Sequence, residues 1–177
     1  LVLPGGISLD ARTSEEELEA IFRASPWQRF QMPAYHLTTK SGQGVTLVNI
    51  GVGPANAKNI TDHLAVLRPN AWLMVGHCGG LRQSQRIGDY VLAHAYLRED
   101  GILDSTIPTE VPIPALAEMQ VALQEAAAKV TGDKGEALKR RLRTGTVVTY
   151  DDRNWELRWS KERRRINLSR AIAVDME

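Results

Sequence analysis

Residues 72–99 decide the reading of this chain: Trp72-Leu73-Met74-Val75-Gly76-His77-Cys78-Gly79-Gly80-Leu81-Arg82, then Gln-Ser-Gln-Arg-Ile-Gly-Asp from 83 to 89, then Tyr90-Val91-Leu92-Ala93-His94-Ala95-Tyr96-Leu97-Arg98-Glu99. An apolar run, Trp72 to Val75, breaks into a loop carrying Gly76, Gly79 and Gly80. A second apolar run follows from Tyr90 to Tyr96. Short apolar runs bounded by glycine predict buried strands. Glycine at a strand end lets the backbone come close to a ligand, because no Cβ intervenes. In open α/β sheets ligands collect at the carboxyl ends of strands. The loop is therefore a candidate site, and the chain's one cysteine, Cys78, lies inside it.

The surrounding sequence supplies alternating elements. Leu1–Leu3 predicts a short strand that ends at Pro4-Gly5-Gly6. Thr13-Ser14 followed by three glutamates opens a helix carrying Leu18, Ile21 and Phe22. The segments 35–39 and 45–50 flank Ser41-Gly42-Gln43-Gly44 and predict a hairpin. Gly51-Val52-Gly53-Pro54 leads into a helix with Ile60, Leu64 and Leu67 on one face. A longer helix is predicted over 114–130, with Leu116, Met119, Leu123, Ala126 and Val130 at helical spacing. The segment 131–143 is polar and partly helical. Strands over 143–149 and 171–174 enclose a charged, helical connector at 155–165. Strands interleaved with helices predict an α/β domain around a mixed central sheet. No domain boundary is visible, so residues 1–177 are read as a single domain. Both termini lie in apolar runs, and the domain is expected to be incomplete at its C-terminus.

Composition narrows the function classes. The 177 residues are 43% hydrophobic and 24% charged, with a net charge of +1. That balance gives no reason to expect a nucleic-acid or membrane partner. A lone cysteine cannot form an internal disulfide, which suggests a reducing, cytoplasmic setting. The basic runs at 139–141 and 163–165 read as solvated helix faces with Glu136, Glu156 and Glu162 among them.

Several segments admit two readings. Gly51 and Gly53 could form a backbone cradle for an anion at a helix N-terminus, or a plain turn. The third glycine of a dinucleotide fingerprint is absent. His77 could bind a substrate oxygen. No metal site is expected, since His77 and Cys78 lack a spaced partner group, and no cofactor is called for. Cys78 reads better as a small apolar residue than as a nucleophile. Thr149, Tyr150, Asp151 and Trp155 could clamp a flat heterocycle, or form a turn with Asp151 or Asp152 as the cap. Asp175-Met176-Glu177 ends an apolar strand. Its carboxylates could accept a pair of sugar hydroxyls, or serve as helix N-terminal charge.

The ordered set of segments resembles the nucleoside phosphorylase/nucleosidase superfamily, and within it the branch that cleaves AMP. The resemblance rests on residues 31–37, on 46–54 with Gly51-Val52-Gly53-Pro54, and on Val75-Gly76-His77-Cys78-Gly79-Gly80-Leu81-Arg82. It continues through Ile87-Gly88-Asp89-Tyr90 to His94, residues 143–149 with 151–158, and Ala173-Val174-Asp175-Met176-Glu177. It implies a three-layer α/β/α sandwich around a mixed central sheet, in a homohexamer or other homo-oligomer. It implies hydrolysis of the N-glycosidic bond of AMP, with water as co-substrate, to adenine and ribose 5-phosphate. The Met176-Glu177 pair would contact the ribose, with Glu177 on the 2′ and 3′ hydroxyls. The loop at Gly76–Gly80 would lie beside the ribose, and 149–155 would wall the base pocket. The 5′-phosphate needs cations or N–H groups, for which Gly5, Gly6, Gly51, Gly53, His77 and Arg82 are the candidates.

Two departures separate the chain from phosphorylases of that superfamily. Where those hold inorganic phosphate with an arginine and a hydroxyl residue, this chain has Met74 and His77. That argues for water as the nucleophile. The general acid of the superfamily, an aspartate one strand after the Met-Glu pair, falls beyond Glu177. A nucleoside phosphorylase and a non-catalytic nucleotide-binding unit stand as the alternative functions.

Overall fold

The computed structural model describes residues 2–3, 7–8, 14–24, 32–111 and 113–177. The chain falls into two compact units, Leu1–Gly51 and Val52–Glu177.

The first unit holds an antiparallel sheet in the order β2-β1-β3-β4. Its strands are β1 (Val2–Leu3), β2 (Ile7–Ser8), β3 (Ala34–Thr38) and β4 (Gly44–Val48). The predicted hairpin is β3–β4, paired from Ala34↔Val48 to Thr38↔Gly44. Gly42 takes φ 83° in the turn, which favours glycine. Helix α1 (Glu15–Ala24) opens with a capping box. The Ser14 N–H donates to Glu17 Oε2 at 2.9 Å, and the Glu17 N–H donates to Ser14 Oγ at 3.2 Å. Gly5 and Gly6 lie outside the described residues.

The second unit is built on a mixed sheet in the order β5-β8-β7-β6. Strands β6 (Tyr90–Glu99), β7 (Leu142–Tyr150) and β8 (Ala173–Asp175) run parallel, and β5 (Gly79–Gly80) runs antiparallel to β8. Helices α2 (Pro54–Ala65), α3 (Ala117–Thr131), α4 (Gly135–Arg141) and α5 (Trp159–Ser169) accompany it, with a 3-10 turn over Arg153–Arg158. Among the described residues, no helix is long and apolar enough to cross a membrane.

In a parallel ladder, residues in register share a face. Leu97, Val148 and Val174 therefore face one way, with Glu99 and Tyr150. This face carries the core: Val148, Tyr150 and Val174 pack with Ile166 of α5 and Ala171. Tyr96, Val147 and Ala173 face the other way, and Arg98, Thr149 and Asp175 form the next row on that side.

Two expectations are corrected. The run 72–75 does not form a strand; β8 pairs instead with Gly79 and Gly80. A Cβ on Gly79 would stand 3.1 Å from Val174 Cγ1, so the backbones meet where side chains are missing. Four consecutive apolar residues suit a strand covered on both faces. Here they are uncovered, with Val75 81% exposed. The helix stripes are also shallower than their spacing suggests. Ile60, Leu64, Met119 and Leu123 are half-buried, while Leu67, Leu116 and Val130 stand out in solvent.

Candidate active site

The carboxyl ends of β7 and β8 gather the densest set of expected site residues. Thr149 is in register with Asp175 on the adjacent strand. Met176 and Glu177 follow directly, and the Met176 N–H donates to Glu177 Oε2 at 3.2 Å. Gly79 is in register with Val174, which brings Cys78 to the same strand end.

Asp175 is the electrostatic centre of this cluster. Burial raises its carboxyl pKa, the Glu177 charge adds to that, and the Thr149 and Tyr96 hydroxyls act in the opposite direction. Thr149 Oγ1 and Asp175 Oδ1 are both buried without completing a well-formed hydrogen bond, although these hydroxyls lie near enough to favour the ionised carboxylate. Burial, and then the Asp175 charge, push the Cys78 thiol up. A protonated thiol is a poor nucleophile, and the Cys78 residue itself is exposed. His77 is exposed.

Two residues in this cluster carry no motif. Burial, followed by Asp175, raises the Tyr96 pKa, so its hydroxyl stays a proton donor toward that carboxylate. Arg98 shares the row of Thr149 and Asp175. Its Nη2 donates to the carbonyls of Ile107 and Pro108, at 3.1 and 2.7 Å, while Nη1 is buried and unpartnered. Both sit inside an apolar strand whose pattern announces only burial. The available signal was alternation: Tyr96 and Arg98 are two apart and share a face.

Tyr150 and Trp155 occupy the opposite face. Tyr150 is 3% exposed and stacks on Trp155 with centroids 5.5 Å apart and planes 12° from parallel. Its hydroxyl donates to Glu162 Oε2 at 3.1 Å. Tyr150 thus belongs to the α5 core, with the partly buried Trp155 packed against it. The structure places Tyr150 on the face of β7 opposite Thr149. Asp151 is exposed, and Asp152 is the cap, accepting from the Asn154 N–H at 2.5 Å.

Gly51 and Gly53 have φ of 71° and 107°, and a Cβ on Gly53 would meet nothing within 4 Å. Conformation, not crowding, accounts for these glycines. Arg82 lies at the other end of β8. The Leu81 N–H bonds to the Ile172 carbonyl, and the chain then continues away from Glu177. Ile172 to Glu177 is roughly 16 Å of extended chain. Arg82 therefore stands near the amino end of β8, away from the strand end that carries Glu177.

Comparison with known proteins gives these geometries a family context. The sequence profile of the Phosphorylase superfamily matches residues 13–177. The chain is 64% identical over 173 residues to AMP nucleosidase of Escherichia coli (strain K12), covering 98% of this chain and 35% of that protein. It is 26% identical over 110 residues to uridine phosphorylase of Thermococcus kodakarensis, covering 59% and 40%. Among solved structures, AMP nucleosidase from Bacteroides thetaiotaomicron superposes with a TM-score of 0.69 at 34% identity, over 85% of this chain and 60% of that one. Purine nucleoside phosphorylase from Toxoplasma gondii superposes with a TM-score of 0.62 at 22% identity, over 84% and 56%, a likeness of fold. The chain spans about a third of the length of the Escherichia coli AMP nucleosidase it matches.

Proposed function

Since the chain belongs to the Phosphorylase superfamily and has a nucleoside phosphorylase-like α/β fold with a mixed sheet, we propose that it is the catalytic part of an N-glycosidase that hydrolyses AMP to adenine and ribose 5-phosphate. The observation carrying this reading is the 64% identity to AMP nucleosidase across nearly the whole chain. The family profile runs through both compact units, which supports treating 1–177 as part of one catalytic domain.

In this reading the carboxyl end of β8 is the ribose site. Glu177 accepts the 2′ and 3′ hydroxyls, since an ionised carboxylate has two acceptor oxygens. Its negative charge also favours the oxocarbenium character that develops at C1′ as the glycosidic bond breaks. Asp175 and Thr149 lie one strand step apart behind it, while Met176, Cys78 and Gly79 complete the wall. Water is the nucleophile, because Met74 stands where phosphorylases carry the phosphate-binding arginine. Assembly into a homo-oligomer and a cytoplasmic location belong to the same proposal.

Product analysis on the full-length protein tests it. AMP incubated with and without inorganic phosphate is expected to give adenine and ribose 5-phosphate at the same rate. Formation of ribose 1,5-bisphosphate in phosphate would overturn the hydrolase reading in favour of phosphorolysis. Binding of AMP without turnover would reduce it to a nucleotide-binding unit.

A further inference from the structure

The ladder between β7 and β8 stops at Thr149↔Asp175. Glu177 lies beyond the last paired residue, so strand pairing does not fix it. Its carboxylate takes the Met176 N–H, a local contact that ties it to nothing in the sheet. Asp175 supplies a tie. The Glu177 backbone N–H is close enough to act as a donor to the Asp175 carboxyl and favours its ionised form. An aspartate that holds the N–H two residues on makes an Asx-type turn, which sets the direction of the chain.

That turn is only as firm as the carboxylate that makes it. Asp175 Oδ1 is buried, and burial favours the neutral acid. Two hydroxyls act against burial, one from each neighbouring strand. Thr149 of β7 is in register with Asp175, and Tyr96 of β6 reaches it from one strand farther. The reach is open because the row of Tyr96 continues with two short residues, Val147 and Ala173. A strand side chain also leans along its strand, here toward the carboxyl end. The Tyr96 hydroxyl interacts with Cys78 and Glu177 as well. Burial, and then the Asp175 charge, keep both Tyr96 and Cys78 protonated. Arg98 shares the Asp175 row, but its Nη2 is committed to the Ile107 and Pro108 carbonyls. The groups around Asp175 are thus Glu177 on its own segment, Thr149 on β7, Tyr96 and Arg98 on β6, and Cys78 ahead of β5. Phenylalanine would cover Val147 and Ala173 as well as tyrosine does; the hydroxyl is what serves Asp175.

We propose that Tyr96 is a positioning residue for AMP cleavage: through the Asp175 carboxylate it fixes the Glu177 backbone, and with it the carboxylate that takes the ribose hydroxyls. This role rests on the AMP reading given above.

Tyr96→Phe and Asp175→Asn, singly and together in the full-length protein, test it. Tyr96→Phe is expected to lower kcat for AMP about tenfold with KM nearly unchanged, since the loss falls on the transition state. The acid limb of its kcat/KM profile should move to higher pH, because a carboxyl without that donor ionises later. In the Asp175→Asn background the same substitution should change kcat by less than about twofold and leave the acid limb in place, as residues acting through one contact do. Melting temperature gives a readout without substrate. The hydroxyl stabilises the ionised carboxylate, a contribution lost as pH falls, so Tyr96→Phe should lower the melting temperature more at pH 8 than at pH 4. A packing role would cost the same factor in both backgrounds, with no movement of the limb and an equal melting loss at both pH values. That result would overturn the proposal, as would an unchanged kcat. An unsubstituted protein that leaves AMP intact would overturn the AMP reading and this role together, whereas an active protein indifferent to Tyr96→Phe would overturn this role alone.

Discussion

At the scale of single residues, Asp175 and Glu177 behave as two different carboxylates. Burial raises the Asp175 pKa above its ordinary value. A carboxylate with a raised folded-state pKa favours folding while it is protonated. That contribution is lost as pH rises through the folded pKa, where the buried charge must be carried. Asp175→Asn removes the charge and keeps the shape. Its melting temperature is expected to exceed the unsubstituted protein's at pH 8, with the gap closing towards pH 4. A gap that widens in acid would mean that hydrogen bonds to the ionised form outweigh its burial. Glu177 is half-exposed, and among the described residues its carboxylate bonds only the neighbouring Met176 N–H. Glu177→Gln should therefore leave the melting temperature close to unchanged. On the proposed function, kcat/KM for AMP should fall by about 10²-fold, the scale of losing an electrostatic transition-state contact. Near-normal turnover would return Glu177 to the role of a helix-directed charge.

At the scale of elements, the strands matter through what lies in register across them. The candidate site was legible in sequence where residues are consecutive, as in Asp175-Met176-Glu177, or sit beside a glycine, as at Cys78. It was not legible where register assembles it. Nothing in Tyr96 or Arg98 marks them as neighbours of Asp175, because that adjacency is made by two ladders. Tyr150 misled for the complementary reason. It adjoins Thr149 in sequence, but successive strand residues face opposite ways, so it belongs to the α5 core. Register also explains a glycine. Gly145 is buried in β7, and a Cβ there would stand 2.7 Å from Ile172 Cδ1 and 2.8 Å from its Cγ1. Gly145→Ala is expected to cost about 1–3 kcal/mol, the usual penalty for overpacking, read as a lower urea midpoint at constant slope. Adding Ile172→Ala should recover part of that loss. A double variant as unstable as the sum of the two singles would show that Ile172 is not the obstacle.

At the scale of the whole molecule, periodicity anticipated the hairpin, the α/β alternation and the three strands that the structure shows to be parallel, because each is a local pattern followed by a glycine or polar break. It missed the fate of 72–75, since an apolar run announces a need for burial without naming what supplies it. Burial in the second unit is instead concentrated where β7 and β8 meet α5. Val148 is fully buried and Ile166 is 2% exposed, and both belong to one cluster with Tyr150, Ala171 and Val174. Helix α5 is otherwise strongly charged, with Arg163 and Arg164 exposed and Arg165 paired with Glu99 of β6, so Ile166 is its buried anchor. Ile166→Ala should then cost about 2–5 kcal/mol, and Val148→Ala somewhat less because it removes fewer carbons. The two side chains line one packed space, so the truncations should couple. The second enlarges a cavity into which the first has already let the surroundings relax, and the double variant should lose less than the sum by at least about 0.5 kcal/mol. Denaturant unfolding of the four proteins measures this directly. Strict additivity would mean that α5 and β7 are stabilised independently, and that the cluster does not act as one core.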